Sequence, residues 1–170
     1  LNEANPRLAA LIASRVSCSW VTDLDCLRGL EPLAGDAGFR QEFLAVKRAN
    51  KARLAGLIGS HLGLEADPDS LFDVQIKRIH EYKRQLLNAL RIADMYLRMK
   101  ADPTFRPLAR TYVFGGKAAP GYAMAKLIIK LVNAVADTVN RDLDVRGRLS
   151  VVFLRNYRVS LAERVFPAAD

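Results

Sequence analysis

Hydrophobic and polar positions change rhythm near residue 70. Before that point the apolar residues recur at helical spacing. Leu8, Leu11, Ile12 and Val16 fall on one face behind Asn5-Pro6, a plausible cap and first helical residue. Ser19-Trp20-Val21-Thr22-Asp23 interrupts that run, and Asp23 or Asp25 is placed to cap a short helix reaching Leu33. Asp36 caps a longer helix through about His61, with Phe39, Phe43, Val46, Asn50, Leu54, Leu57 and Ile58 near helical spacing. Asp67-Pro68-Asp69-Ser70 has turn chemistry.

After the turn, short apolar runs alternate with long amphipathic stretches. Phe72 to Ile76, Thr111 to Gly115 and Leu149 to Leu154 read as strands. The helices that follow them run from about His80 to Met99, from about Tyr122 to Asn140, and from near Ser160. In the first, Tyr82, Leu86, Leu90, Ala93 and Leu97 are expected to form the apolar face. The second is apolar nearly all round, from Met124 through Val139, which predicts packing between the sheet and another layer. Continuous apolar strands alternating with helices argue a parallel α/β sheet with both faces covered. The predicted organisation is a helical segment, 1–70, followed by strand–helix units over 71–170. The third unit has barely begun when the sequence stops at Asp170, which predicts a piece of a larger protein.

Composition narrows the class. Half the residues are hydrophobic (51%) and a quarter charged (26%), as in globular domains, and no apolar run is long enough to span a bilayer. The first residues lack the basic start and apolar core of a secretory leader, so a cytoplasmic location is expected. Cys18 and Cys26 show neither a disulfide framework nor metal spacing, and read as small apolar residues in a reducing compartment. The net charge of +8 raises nucleic acid as a partner. The basic residues are spread through every segment, however, with no basic tail and no nucleic-acid motif, so neither nucleic acid nor membrane is expected.

Candidate chemistry gathers where strands end. Lys77 and Arg78 close the first strand, and Lys83 can reach back over the same end. Strand ends are where α/β proteins collect ligands, and a Lys–Arg set there suits a phosphate-like dianion. A solvated helix start would look the same from spacing alone. His80 reads as a hydrogen-bonding structural residue rather than an acid or base. Gly115-Gly116-Lys117 follows the second strand; it matches neither a Walker A loop nor a dinucleotide fingerprint, but lets backbone approach closely. Asn156-Tyr157-Arg158 follows the third strand, on the side of Lys77 and Arg78. Arg155 reads as surface decoration. A non-catalytic phosphate-binding domain would account for these residues equally well.

Three ordered segments carry a resemblance. They are KRIHEYKRQLLN from Lys77, Val113-Phe-Gly-Gly-Lys-Ala-Ala-Pro-Gly-Tyr122, and Val152-Phe-Leu-Arg-Asn-Tyr-Arg-Val-Ser-Leu-Ala-Glu163 with Pro167-Ala-Ala-Asp170. The chain resembles the α-glucan phosphorylases, the glycogen, starch and maltodextrin enzymes. The resemblance implies the first half of the C-terminal Rossmann-like lobe of a two-lobed GT-B glycosyltransferase, one that uses inorganic phosphate, an α-1,4-glucan and pyridoxal 5'-phosphate. It implies that Arg78 and Lys83 hold substrate phosphate, that Tyr82 contacts the sugar, and that Lys77, Tyr157 and Arg158 surround the cofactor phosphate. Gly115, Gly116, Lys117 and Tyr122 would line the cleft, with Tyr122 part of an aromatic inhibitor pocket; Ala123 stands where animal enzymes often have His. The family attaches its cofactor through a Gly-Asn-Met-Lys-type segment, and no such segment occurs here. No catalytic residue or metal ligand is therefore assigned, and the isolated chain is expected to be inactive. Full-length members of the family are usually homodimers.

Overall fold

The computed structural model describes residues 2–16 and 19–170. Helix α1, Pro6–Ala13, begins at Asn5, whose side chain accepts from the Leu8 N–H. The same Asn5 oxygen accepts from the Asn50 amide at 3.1 Å, and both residues are buried. One polar pair thus ties α1 to the long helix α2, Ala37–Leu62. Asp36 caps α2 through the Phe39 N–H, and Gly63, at φ +66°, ends it in the left-handed conformation that glycine adopts without strain. Between them, the expected short helix is Leu24–Gly35, a 3₁₀ helix capped by Asp23 and containing Pro32. Trp20 is buried in a small N-terminal cluster with Ala9 and Ile12. Cys26 packs against that cluster and is disulfide-bonded, which corrects its reading as a free apolar thiol; Cys18 lies outside the described residues.

Strands β1 (Leu71–Ile76), β2 (Arg110–Gly115) and β3 (Leu149–Leu154) form a parallel sheet in the order β1-β2-β3. The register is flush: Ile76, Gly115 and Leu154 lie side by side at the C-terminal end. Helix α3 spans Gln85–Ala101, α4 Ala123–Arg141, and α5 Val159–Val165. Helices α3 and α4 share one core with Tyr112, Phe114, Leu149 and Val151. On the opposite face α2 and α5 share a core with Phe72, Val113, Val152 and Leu154. The architecture is therefore α/β, a partial Rossmann-like sheet covered on both faces, and central β2 is buried along nearly its whole length.

The apolar face expected for α3 is corrected. Its buried residues are Gln85, Ala89, Ile92 and Met99, whereas Leu86, Leu90 and Leu97 are exposed. The cause is a break before the helix. Glu81–Lys83 closes a 3₁₀ turn through Lys83 N–H to His80 O and Arg84 N–H to Glu81 O, and Arg84 sits at φ +65°. That residue ends the turn and restarts the helix at Gln85, so Tyr82 never joins the helical face and stands 69% exposed. The sheet already offers the bulky Tyr112 and Phe114, and α3 presents small Ala89 to the core they share.

Polar side chains finish the edges. The Asn140 amide pairs with both the N–H and the C=O of Val151 on β3 (3.0 and 2.7 Å), as a neighbouring strand would. Beside β1, Asp170 donates its N–H to Phe72 O and accepts the Phe72 N–H on its carboxylate. Lys51 from α2 reaches that carboxylate at 2.6 Å, Lys47 at 3.8 Å, and Lys47 also donates to Ala169 O. Burial pushes the Lys47 ammonium below its ordinary pKa, while Asp170 opposes the shift.

Candidate functional site

The flush C-terminal ends of the strands launch three loops, and each loop begins with the residues singled out above. Lys77 and Arg78 leave β1, Gly116 and Lys117 leave β2, and Arg155 to Arg158 leave β3. The first two loops are bound to each other. Lys77 N–H donates to Gly115 O, and Ile79 N–H to Lys117 O. Gly116 is forced by that approach: a Cβ there would lie 2.1 Å from Lys77 O. Gly115 is likewise crowded, with Tyr157 Cδ2 3.4 Å and Ile76 Cγ2 3.1 Å from where a Cβ would stand. Ile79, buried, anchors the loop into the α3–α4 core.

Lys77, Arg78, Lys117 and Arg158 are exposed and Lys83 is half-buried. Among the described residues none of the five pairs with a carboxylate. Lys83 lies over the Tyr82 ring at 5.5 Å, and Arg158 Nε donates to Ser160 Oγ at 3.0 Å. Some cations elsewhere are neutralised, as in Arg48–Asp69 and the Asp73 carboxylate shared by Arg91 and Arg110, so what marks this group is its gathering at the strand ends. An uncompensated group of cations at one sheet edge is suited to a polyvalent anion.

The three loops do not all face one hollow. Arg158 precedes α5 with an extended backbone and turns over that helix to Ser160. It lines a cavity of about 510 Å³ with Arg53, His61, Arg155 and Arg164, between α2 and α5. Lys77, Arg78 and Lys83 are not in that lining. Arg155 accordingly belongs to a cationic wall rather than to plain surface. Tyr157 is half-buried and packs with the α2–α5 core beside Gly115.

Around Arg78 the loop carries an aromatic group. The His80 ring is 4.2 Å from Tyr82 and 4.9 Å from Tyr122, and its Nδ1 is buried with no hydrogen-bond partner among the described residues. Tyr122 donates its hydroxyl proton to Glu81, and that carboxylate pushes the phenol's pKa up. The loop is closed from below by side-chain amides that the sequence reading passed over. Gln85 is fully buried; its Nε2 donates to Arg78 O (3.3 Å) and its Oε1 accepts from His80 N–H (3.4 Å). Gln75 donates to Lys83 O at 3.0 Å, and Asn88 donates to Gln75 at 3.0 Å. The available signal was Gln75, an amide one residue from the C-terminal end of β1.

A family model described as carbohydrate phosphorylase matches residues 1–170. The glycogen phosphorylase of Synechocystis sp. is 54% identical over 167 residues, covering 98% of this chain and 20% of that protein. The muscle form from Oryctolagus cuniculus and the liver form from Homo sapiens are each 51% identical over 166 residues, with the same coverage. The chain thus spans about a fifth of the length of the curated relatives it matches.

Proposed function

The chain belongs to the carbohydrate phosphorylase family, and from that premise we propose that it supplies the phosphate-handling edge of an α-1,4-glucan phosphorylase. The parent enzyme would move the terminal glucosyl group of a glucan, such as glycogen, onto inorganic phosphate. The glycosidic C–O bond breaks, a phosphate oxygen bonds to the anomeric carbon, and the departing sugar oxygen takes a proton. Glucose 1-phosphate and a shortened glucan result.

One observation carries this reading: Lys77, Arg78, Lys83, Lys117 and Arg158 follow three flush strand ends and lack a carboxylate partner among the described residues. Arg78 and Lys83 are assigned to substrate phosphate, with Tyr82, exposed beside them, to the sugar. Fixed cations hold a phosphate beneath the sugar and favour the positive charge that grows at its anomeric carbon.

The residues assigned to the cofactor phosphate also suit that group. Lys77 and Arg158 are cations without acid partners among the described residues, and Tyr157 is a phenol on the Arg158 loop; Arg158 has to swing back from the α2–α5 cavity to share one phosphate with Lys77. Lys77, Tyr157 and Arg158 would hold the phosphate of pyridoxal 5'-phosphate, which in this family supplies a group for proton transfer. Its attachment lysine is assigned to a part of the parent enzyme outside these residues, since Lys117, Lys126 and Lys130 do not stand in a Gly-Asn-Met-Lys-type segment. Gly115, Gly116, Lys117 and Tyr122 line the same cleft in this reading. A homodimeric, cytoplasmic enzyme is part of the proposal; among the described residues no helix is long and apolar enough to cross a membrane.

The test is steady-state kinetics of the full-length parent. Arg78→Ala should weaken the use of phosphate by about 1.5–3 kcal/mol, the scale of a hydrogen bond to a charged group. Unchanged kinetics in phosphate would overturn the assignment.

A further inference from the structure

We infer that two side-chain amides are positioning residues for the proposed phosphate site, Gln85 setting where Arg78 stands and Gln75 where Lys83 stands, neither touching the ligand itself. The inference rests on the reading of Arg78 and Lys83 given above. The loop from Lys77 to Arg84 carries the two cations at opposite ends, on an ascending arm and a returning arm. Each arm is held by a side-chain amide, the returning one also by the 3₁₀ turn at Glu81–Lys83.

Gln85 holds the first arm at two points. It donates to Arg78 O and accepts from His80 N–H, so the backbone on both sides of Ile79 is fixed. Gln75, itself held by Asn88, fixes the second arm through Lys83 O. Gln85 and Asn88 lie in the first turn of α3, and Gln75 lies on β1. The loop is thus referenced to the sheet and the helix together.

Burial makes Gln85 more than a spacer. Its side chain is fully buried in a helix face otherwise formed by Ala89, Ile92 and Met99. A Leu would serve packing alone at this site. An amide is costly to bury unless its hydrogen bonds are made, and here both of its ends are used on the loop backbone. The geometry around it is otherwise over-determined. Arg84 is held at φ +65°, Ile79 is sunk in the core, and Gly116 leaves no room for the loop to sink further. Without the two amide bonds the remaining freedom of the loop is at Arg78 and His80.

The experiment compares Gln85→Leu, Asn88→Ala and Arg78→Ala in the full-length parent, measuring KM for inorganic phosphate and for glucan together with thermal stability. Gln85→Leu keeps the volume and strands Arg78 O and His80 N–H. It should raise phosphate KM about tenfold while glucan KM stays within about twofold. A merely structural residue would lower the melting temperature and the active fraction but leave both KM values where they were, and that result overturns the inference. If Gln85→Leu does not fold, Asn88→Ala decides by the same ratio, because it loosens Gln75 and hence Lys83 without altering the buried face of α3. Arg78→Ala separates the two claims. A large phosphate effect there with none in the amide variants defeats the inference alone, and no effect in Arg78→Ala defeats the proposed function beneath it.

Discussion

Arg84 shows how a single backbone angle redirects the chain. A non-glycine residue at φ +65° costs about 1–2 kcal/mol relative to an ordinary conformation. Arg84→Gly removes that cost, partly offset by glycine's greater freedom when unfolded. Urea denaturation should find the variant no less stable than the parent and up to about 1 kcal/mol more stable. Charges give a second prediction at this scale. Asp142 accepts from Tyr96 at 2.7 Å, from the Asp144 N–H and from Lys100 at 3.0 Å, and these pull its pKa from 3.8 to about 2. A depressed carboxylate pKa stabilises the fold above the unfolded value, and the contribution fades as pH falls through about 4 towards 2. The stability difference between the parent and Asp142→Asn should therefore be constant near neutrality and shrink across that acid window. Much at this scale was legible in advance. Asn5, Asp23 and Asp36 all cap where their sequence context places them, because capping is a local interaction of a few residues. Arg84 and Gln85 were not legible, since a left-handed angle at Arg and a buried amide in a helix both depend on what the loop packs against.

Among the elements, all three strands lie within a residue of their expected limits, and α2, α4 and α5 start where expected. Continuous apolar runs and capping residues mark them without help from tertiary contacts. Helix α3 is the exception. Leucine spacing pointed to Leu86, Leu90 and Leu97, but burial selects Ala89, Ile92 and Met99. Periodicity gives one stripe per helix only when the other face is polar, and here both faces carry apolar residues. Ile92→Ala in the described chain should cost about 2–5 kcal/mol, as for other fully buried aliphatic truncations. Leu90→Ser should change stability by no more than about 0.5 kcal/mol. Denaturation of both variants decides which face the core uses; the reverse order would restore the leucine stripe.

At the level of the whole molecule, the cationic strand ends are only one side of a site. The chain spans about a fifth of its relatives' length, and the cofactor attachment segment is expected elsewhere in the parent. Glucose 1-phosphate should not form when the purified 170-residue chain is given glucan and phosphate. Its formation, persisting after removal of contaminating enzyme, would refute the division of labour proposed here. The sequence placed Lys77, Arg78 and Arg158 at the C-terminal ends of strands in one parallel sheet, and the observed order sets them on β1 and β3, either side of β2. It could not tell that Arg158 would turn over α5 to join Arg53 and Arg164, because that direction depends on the packing of α2.

The Asn140 amide has a consequence for growth of the sheet. By occupying both outward-facing groups of Val151, it leaves an incoming strand nothing to bind at the middle of β3. On the opposite flank Asp170 occupies both groups of Phe72 in the same way, so a strand contributed by additional polypeptide has first to displace one of these two caps. Both margins of the sheet are therefore stoppered at one residue each, one by a helix amide and the other by a carboxylate that two lysines hold in place.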